Sequence, residues 1–124
     1  MATTNTITEP MPGVRLHSFT ALANGDTVDI DCTGAREILF QVTAGTFAST
    51  IITLSGSLAG SVYTGVYNAN ELQSGLAAAA APITAGAVGA IFRVQPCRLL
   101  RMSLASGTGT GIQCQVLVDT RVAV

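Results

Sequence analysis

Apolar and polar residues alternate along most of this chain with the period of two that a half-buried β-strand requires. From Thr27 to Cys32 the alternation places Val28, Ile30 and Cys32 on one face and Asp29 and Asp31 on the other. After a turn at Thr33-Gly34-Ala35, the segment from Arg36 to Thr43 repeats the pattern, with Ile38, Phe40 and Val42 facing one way and Glu37, Gln41 and Thr43 the other. The segment from Thr50 to Ser55 is rich in β-branched residues and stops at Ser55-Gly56-Ser57, and the next strand is expected from Val62 to Tyr67. Further strands are expected over Ala90 to Val94, Arg98 to Ala105 and Gly111 to Asp119, with breakers at Pro96 and at Gly107-Thr108-Gly109, which reads as a hairpin loop. An earlier strand, Val14 to Leu22, precedes a hairpin signal at Asn24-Gly25.

The pattern also repeats internally. Arg36 to Thr46 superposes on Arg98 to Thr108, and the register continues both ways: Val28, Ile30 and Cys32 match Ala90, Phe92 and Val94, while Ile52 and Leu54 match Cys114 and Val116. Two similar halves, each with an apolar face it cannot bury alone, predict an all-β antiparallel sandwich about 10 Å thick. About eight strands in two similar halves make it jelly-roll-like, with an immunoglobulin-like order as the other arrangement. The expected core is Val28, Ile30, Ile38, Phe40, Val42, Ile52, Leu54, Phe92, Leu100, Met102, Leu104, Ile112, Cys114 and Val116. The sandwich domain is expected over 14–124. Residues 1–13, with Pro10, Pro12, Gly13 and no apolar periodicity, are expected to form a flexible N-terminal arm. A short helix has one place to form, Leu72 to Ala80, where alanines accumulate before Pro82.

Composition narrows the function classes. A chain of 124 residues fits one domain, and its 10% of charged residues falls well below the usual share of about 25%. Such a surface is best explained by partners that cover part of it; a neutral Thr/Ser/Gly-rich surface is the plainer reading. The net charge is −1, with six arginines and no lysine, so no basic stripe exists to neutralise phosphates and nucleic acid is not an expected partner. Lysine also guards exposed strand edges, and its absence suggests edges shielded by neighbouring subunits. Met1 to Thr8 lacks the basic start and apolar stretch of a secretory signal. Leu76 to Phe92, mostly Ala and Gly with Pro82 inside, does not read as a membrane span. Cys32, Cys97 and Cys114 are too far apart for a redox or zinc motif and read as buried free thiols of a protein folded in reducing cytoplasm.

Little chemistry is on offer. A single histidine, His17, cannot build a multi-histidine metal site, and no cysteine sits in a nucleophile motif that it could serve. Asp26, Asp29 and Asp31 invite a calcium reading, but their spacing lacks the central glycine and distal glutamate of a calcium loop, and Asp29 and Asp31 fall on a solvated strand face. The glycines form no phosphate-cradling loop ahead of a helix. With no Trp, two Tyr and four Phe, a sugar-stacking platform is a distant alternative. No catalytic, cofactor or metal residue is expected, and the chain reads as a non-enzyme.

The stretch from Gly45 to Tyr63, Gly-Thr-Phe followed by a β-branched strand and then Ser55-Gly56-Ser57, resembles small β-sandwich virion proteins of tailed bacteriophages. Ile91-Phe92-Arg93-Val94, Cys97 to Leu104 and the Thr-Gly-Thr loop are similar to the second half of that family, so the resemblance spans about Asp26 to Val118. The chain departs from it at Ser55, Ala59 and Tyr63, where the family carries an acid, an aspartate and a tryptophan, and these departures bear on any ligand role of that turn. The resemblance implies a capsid decoration or cement protein, made in the host cytoplasm and carried on the virion. Its implied partners are the major capsid protein and copies of itself around a symmetry axis. A tail or head-tail accessory protein of the same fold is the nearer rival.

Overall fold

A computed structural model describes residues 4–65, 83, 88–89, 91–94 and 96–121. Among them are nine strands: β1 (Thr4–Met11), β2 (Val14–Leu22), β3 (Thr27–Asp31), β4 (Glu37–Thr46), β5 (Ile51–Ser57), β6 (Thr64–Gly65), β7 (Ile91–Val94), β8 (Leu99–Ala105) and β9 (Thr110–Asp119). Every pairing is antiparallel, and the strands form two sheets, ordered β1-β2-β9-β4-β7 and β3-β8-β5-β6. The expected all-β sandwich is therefore observed. The stretch from Leu72 to Ala80, the one place for a short helix, lies outside the described residues.

One core joins the sheets. Ile38, Phe40 and Val42 of β4, Ile112, Cys114, Val116 and Val118 of β9, and Phe19 and Leu22 of β2 meet Ile30, Ile52, Leu54, Leu100, Met102 and Leu104 from the other sheet. Alternation thus identifies the inward faces of both sheets. Val28 is half-buried and packs against this core from its edge. The side chain of Phe92 lies outside the described set, although its backbone stands opposite Phe40.

The internal repeat is a repeat of strand pairing. A shift of 62 residues carries Arg36 to Arg98, and it also carries the pair Phe40–Val116 of β4 and β9 onto Met102–Leu54 of β8 and β5. Both pairs are observed, as are Val42–Cys114 and Leu104–Ile52. On the other side, the shift carries Phe40–Phe92 onto Met102–Ile30, whereas Met102 stands opposite Val28. That slip of two residues leaves every side chain on its proper face, which a slip of one would not. The two middle strands β4 and β8 therefore occupy equivalent places in opposite sheets.

Three local expectations are corrected. The flexible arm expected over residues 1–13 is, in its described part, a strand, because Thr4–Met11 forms β1 and pairs with β2 from Thr4–Thr20 to Met11–Val14. Its alternating threonines suit a strand, and Pro10 falls where the register shifts between Thr8 and Met11, so the missing N–H disturbs the ladder little. Asn24-Gly25 joins β2 to β3 across the two sheets and does not close a hairpin; Gly107-Thr108-Gly109 likewise crosses from β8 to β9. The reason lies in contacts remote in sequence. Thr50 Oγ1, buried beside this second connection, donates to Ser106 O at 2.8 Å and accepts from Gly109 N at 2.7 Å, which locks the β4–β5 and β8–β9 crossings together. Gly107 has φ +61°, and a side chain there would run into the backbone of Ala48 to Thr50.

The end of β9 is stapled by charge. Asp119 accepts from the Arg121 backbone N–H at 2.9 Å and from its guanidinium at 2.9 and 3.1 Å, while Thr120 N donates to Gly13 O at 2.8 Å. Arg121 thereby holds the Asp119 carboxyl down at about 2.

Two expected outcomes test this architecture. Phe40→Ala removes a fully buried ring and should lower stability by about 3–5 kcal/mol in denaturant melts, whereas Gln41→Ala, on the opposite face, should change it by under about 0.5 kcal/mol. The Asp119 carboxylate contributes stability that is fully present above its ordinary value of 3.8 and is lost as the pH falls through about 2. Asp119→Asn should accordingly melt below the parent protein at neutral pH, and the two midpoints should converge between about pH 4 and about pH 2.

Candidate interaction surface

The outward faces of the two sheets differ in kind. On the five-stranded sheet, one row runs Thr8, Leu16, Leu117, Leu39, Arg93 across β1, β2, β9, β4 and β7. The adjacent row runs Thr6, Ser18, Gln115, Gln41, Ile91. Leu16, Leu39 and Leu117 are half-buried and directly cross-strand, and Ile91 is 58% exposed. Between the rows lies a shallow hollow of about 120 Å³, lined by Leu16, Leu39, Phe40, Gln41, Ile91, Gln115 and Leu117. Apolar walls with two amides at the rim suit a packing partner. Completing the burial of each leucine contributes at most about 1.5–3 kcal/mol.

The four-stranded sheet turns a face outward that is polar in its middle rows, with half-buried Leu99 at one end and half-buried Ile51 at the other. Thr27, Ser103 and Thr53 form one row, and Asp29, Arg101 and Ser55 the next. Arg101 donates to both oxygens of Asp29, at 2.8 and 3.1 Å, and its guanidinium lies 3.8 Å from the centre of the Tyr63 ring. That ion pair is largely solvated and holds the Asp29 carboxyl below its usual range. Such a face is satisfied in water.

The leucine row was missed by the alternation because each leucine occupies a position assigned to the polar side. The signal is present as two apolar triplets, Ile38-Leu39-Phe40 and Val116-Leu117-Val118, which break the alternation. A triplet inside a strand makes both faces apolar, and Leu39 and Leu117 face each other across β4 and β9.

The chemically suggestive residues are dispersed. His17 is buried on the inward face of β2, between Ile7 of β1 and Val116 of β9, with its ring stacked near Phe19 at 6.4 Å. Burial, and then the nearby Arg15, lower its pKa against the opposing pull of Asp31, so the ring is neutral at neutral pH. Neither of its cross-strand neighbours is a thiol. The three aspartates do not converge: Asp26 accepts from Ala23 N at 2.8 Å, Asp29 pairs with Arg101, and Asp31 accepts from the N–H and hydroxyl of Thr33 at 3.0 and 2.6 Å. Among the described residues no group of three or more His, Cys, Asp or Glu side chains could hold a metal ion, and no helix is long and apolar enough to cross a membrane.

The cysteines are free thiols; Cys32 and Cys114 are fully buried and Cys97 is half-buried. Burial pushes the Cys32 and Cys114 thiols up to about 12, which removes their thiolate character at neutral pH. Alkylation of the native protein should therefore modify Cys97 at most, and alkylation in denaturant without reductant should modify all three, as read by intact mass. No protein-family model matches this chain, and neither a curated protein nor a solved structure does.

Proposed function

We propose that the chain is a non-enzymatic structural protein of a tailed-bacteriophage particle, a decoration or cement protein that seats the outer face of its five-stranded sheet on the major capsid protein. The observation that carries this reading is the contrast between the middles of the sheets: a contiguous row of three leucines with Ile91 beside it on one outer face, and Ser, Thr and a partly exposed ion pair on the other, where Leu99 and Ile51 stand apart at the two ends. A domain that packs on one side and meets water on the other uses its surface in this way. The scarcity of charge and the phage-like pattern from Gly45 to Tyr63 point in the same direction. We also read the order β2-β9-β4-β7 against β3-β8-β5-β6 as a jelly roll, an arrangement that viral capsid domains use.

A decoration site is created where several shell subunits meet, so avidity for assembled shells should greatly exceed affinity for isolated subunits. Co-sedimentation with the capsids of its own virus tests this. The parent protein should pellet with shells, and the double variant Leu39→Ser, Leu117→Ser should stay in solution while losing no more than about 3 kcal/mol of fold stability. Equal pelleting of parent and variant would move the contact off this face. Absence of pelleting, with incorporation into purified tails, would replace decoration by a tail accessory role.

A further inference from the structure

Among the described strands, β1 is the one without a counterpart in the opposite sheet. Without it the two sheets correspond strand for strand, β2-β9-β4-β7 to β6-β5-β8-β3; with it the first sheet is one strand wider. Ile7 stands opposite His17, whose side chain points into the sandwich, so Ile7 faces the same side. Among the described residues no strand of the narrower sheet covers it, and Ile7 is 55% exposed. The outer edge of β1 has no neighbour among the described strands; Glu9, Pro10 and the register shift between Thr8 and Met11 blunt its second half, and Thr4 to Thr8 carries no charge or proline to block pairing.

We propose that β1 pairs antiparallel with β1 of a second copy of this chain, about a two-fold axis at Ile7, so that the two five-stranded sheets become one continuous sheet. Pleating restricts the register, because residues directly opposite each other must point to the same side, which matches Ile7 only with odd-numbered positions of the partner strand. With the axis at Ile7, Ile7 meets its own copy, Thr6 meets Thr8, and Glu9 falls opposite Asn5, so that the two carboxylates stay apart. A slip of two residues one way leaves Ile7 opposite Asn5. A slip the other way sets it opposite Glu9, so only the axis at Ile7 gives Ile7 an apolar partner; Pro10, which has no N–H to give, then falls opposite Thr4 at the end of the pairing. An isologous contact of this kind closes on itself and leaves no free β1 edge, so that the joined sheet ends at β7 of each copy.

Sedimentation velocity and light scattering over a range of protein concentrations test the pairing without any capsid. The parent protein should form a dimer. Ile7→Lys and Ile7→Glu, each placing like charges opposite one another across the axis, should raise the dimer dissociation constant by about tenfold or more. An equimolar mixture of the two variants should recover a dimer, because lysine then faces glutamate. Circular dichroism of each variant should match the parent, since Ile7 is outside the core. A parent protein that stays monomeric, single variants that remain dimeric, or folded variants whose mixture stays monomeric would each overturn the proposal. It stands apart from the virion reading: a dimer that ignores capsids retains it, and a monomer that pellets with capsids removes it.

Discussion

Burying one face of β4 and one face of β8 in a shared core is the constraint from which the rest of this fold follows. Each of these strands is bonded on both sides, β4 to β7 and β9, β8 to β3 and β5. With partners on both edges, they can satisfy their backbone groups only if four other segments arrive in register. The chain meets this demand twice with the same solution, so Phe40–Val116 and Met102–Leu54 are equivalent pairs. Consecutive strands therefore fold back on each other only at β1–β2 and β5–β6 among the described strands. The chain changes sheet between β6 and β7, and by shorter connections between β2 and β3, β3 and β4, β4 and β5, β7 and β8, and β8 and β9. Short crossings of this kind are tight, and the left-handed backbone at Ala48, Ser49, Ser106 and Gly107 lies in two of them, where Thr50 bonds one to the other.

The alternation of period two makes the strands and inward faces legible in the sequence itself. Val14 to Leu22 matches β2 residue for residue, and the inward residues of β4, β5, β8 and β9 are those that the repeat picks out. Alternation reports facing, however, and not which strand lies beside which. Asn24-Gly25 suits a hairpin locally, yet Gly25 N bonds to Leu104 O and Asn24 N to Gly109 O, and these partners come from far along the chain. β1 escaped for a related reason: a strand at an edge that buries little has no apolar period to display, and Thr4–Met11 has only Ile7 and Met11 as large apolar side chains, both exposed.

The candidate surface was hidden by the rule that revealed the core. Leu16, Leu39 and Leu117 sit where an alternating strand places polar residues, and each alone is an ordinary half-exposed leucine. Only the register aligns them in one row across three adjacent strands. Conversely, the residues that looked most chemical, His17 and the three aspartates, belong to structure. His17 fills space beside Phe19, Asp26 and Asp31 brace turns, and Asp29 is tied to Arg101. Reactive groups and packing groups exchange roles once their neighbours are known.

The two proposed contacts use different parts of the same sheet and do not compete. Edge pairing consumes the outer backbone groups of β1, while the leucine row lies on the face, beginning one strand further in at Leu16. With the axis at Ile7, Thr8 of one copy stands beside Thr6 of the other, so the outer faces of both copies lie on one side of the joined sheet. Both leucine rows then point the same way. A partner with repeated sites is met by two such faces at once, and the second engagement proceeds at the high effective concentration set by the first. The weak apolar hollow of a single copy, too shallow to hold a partner tightly alone, becomes sufficient when it is presented in duplicate on a rigid sheet.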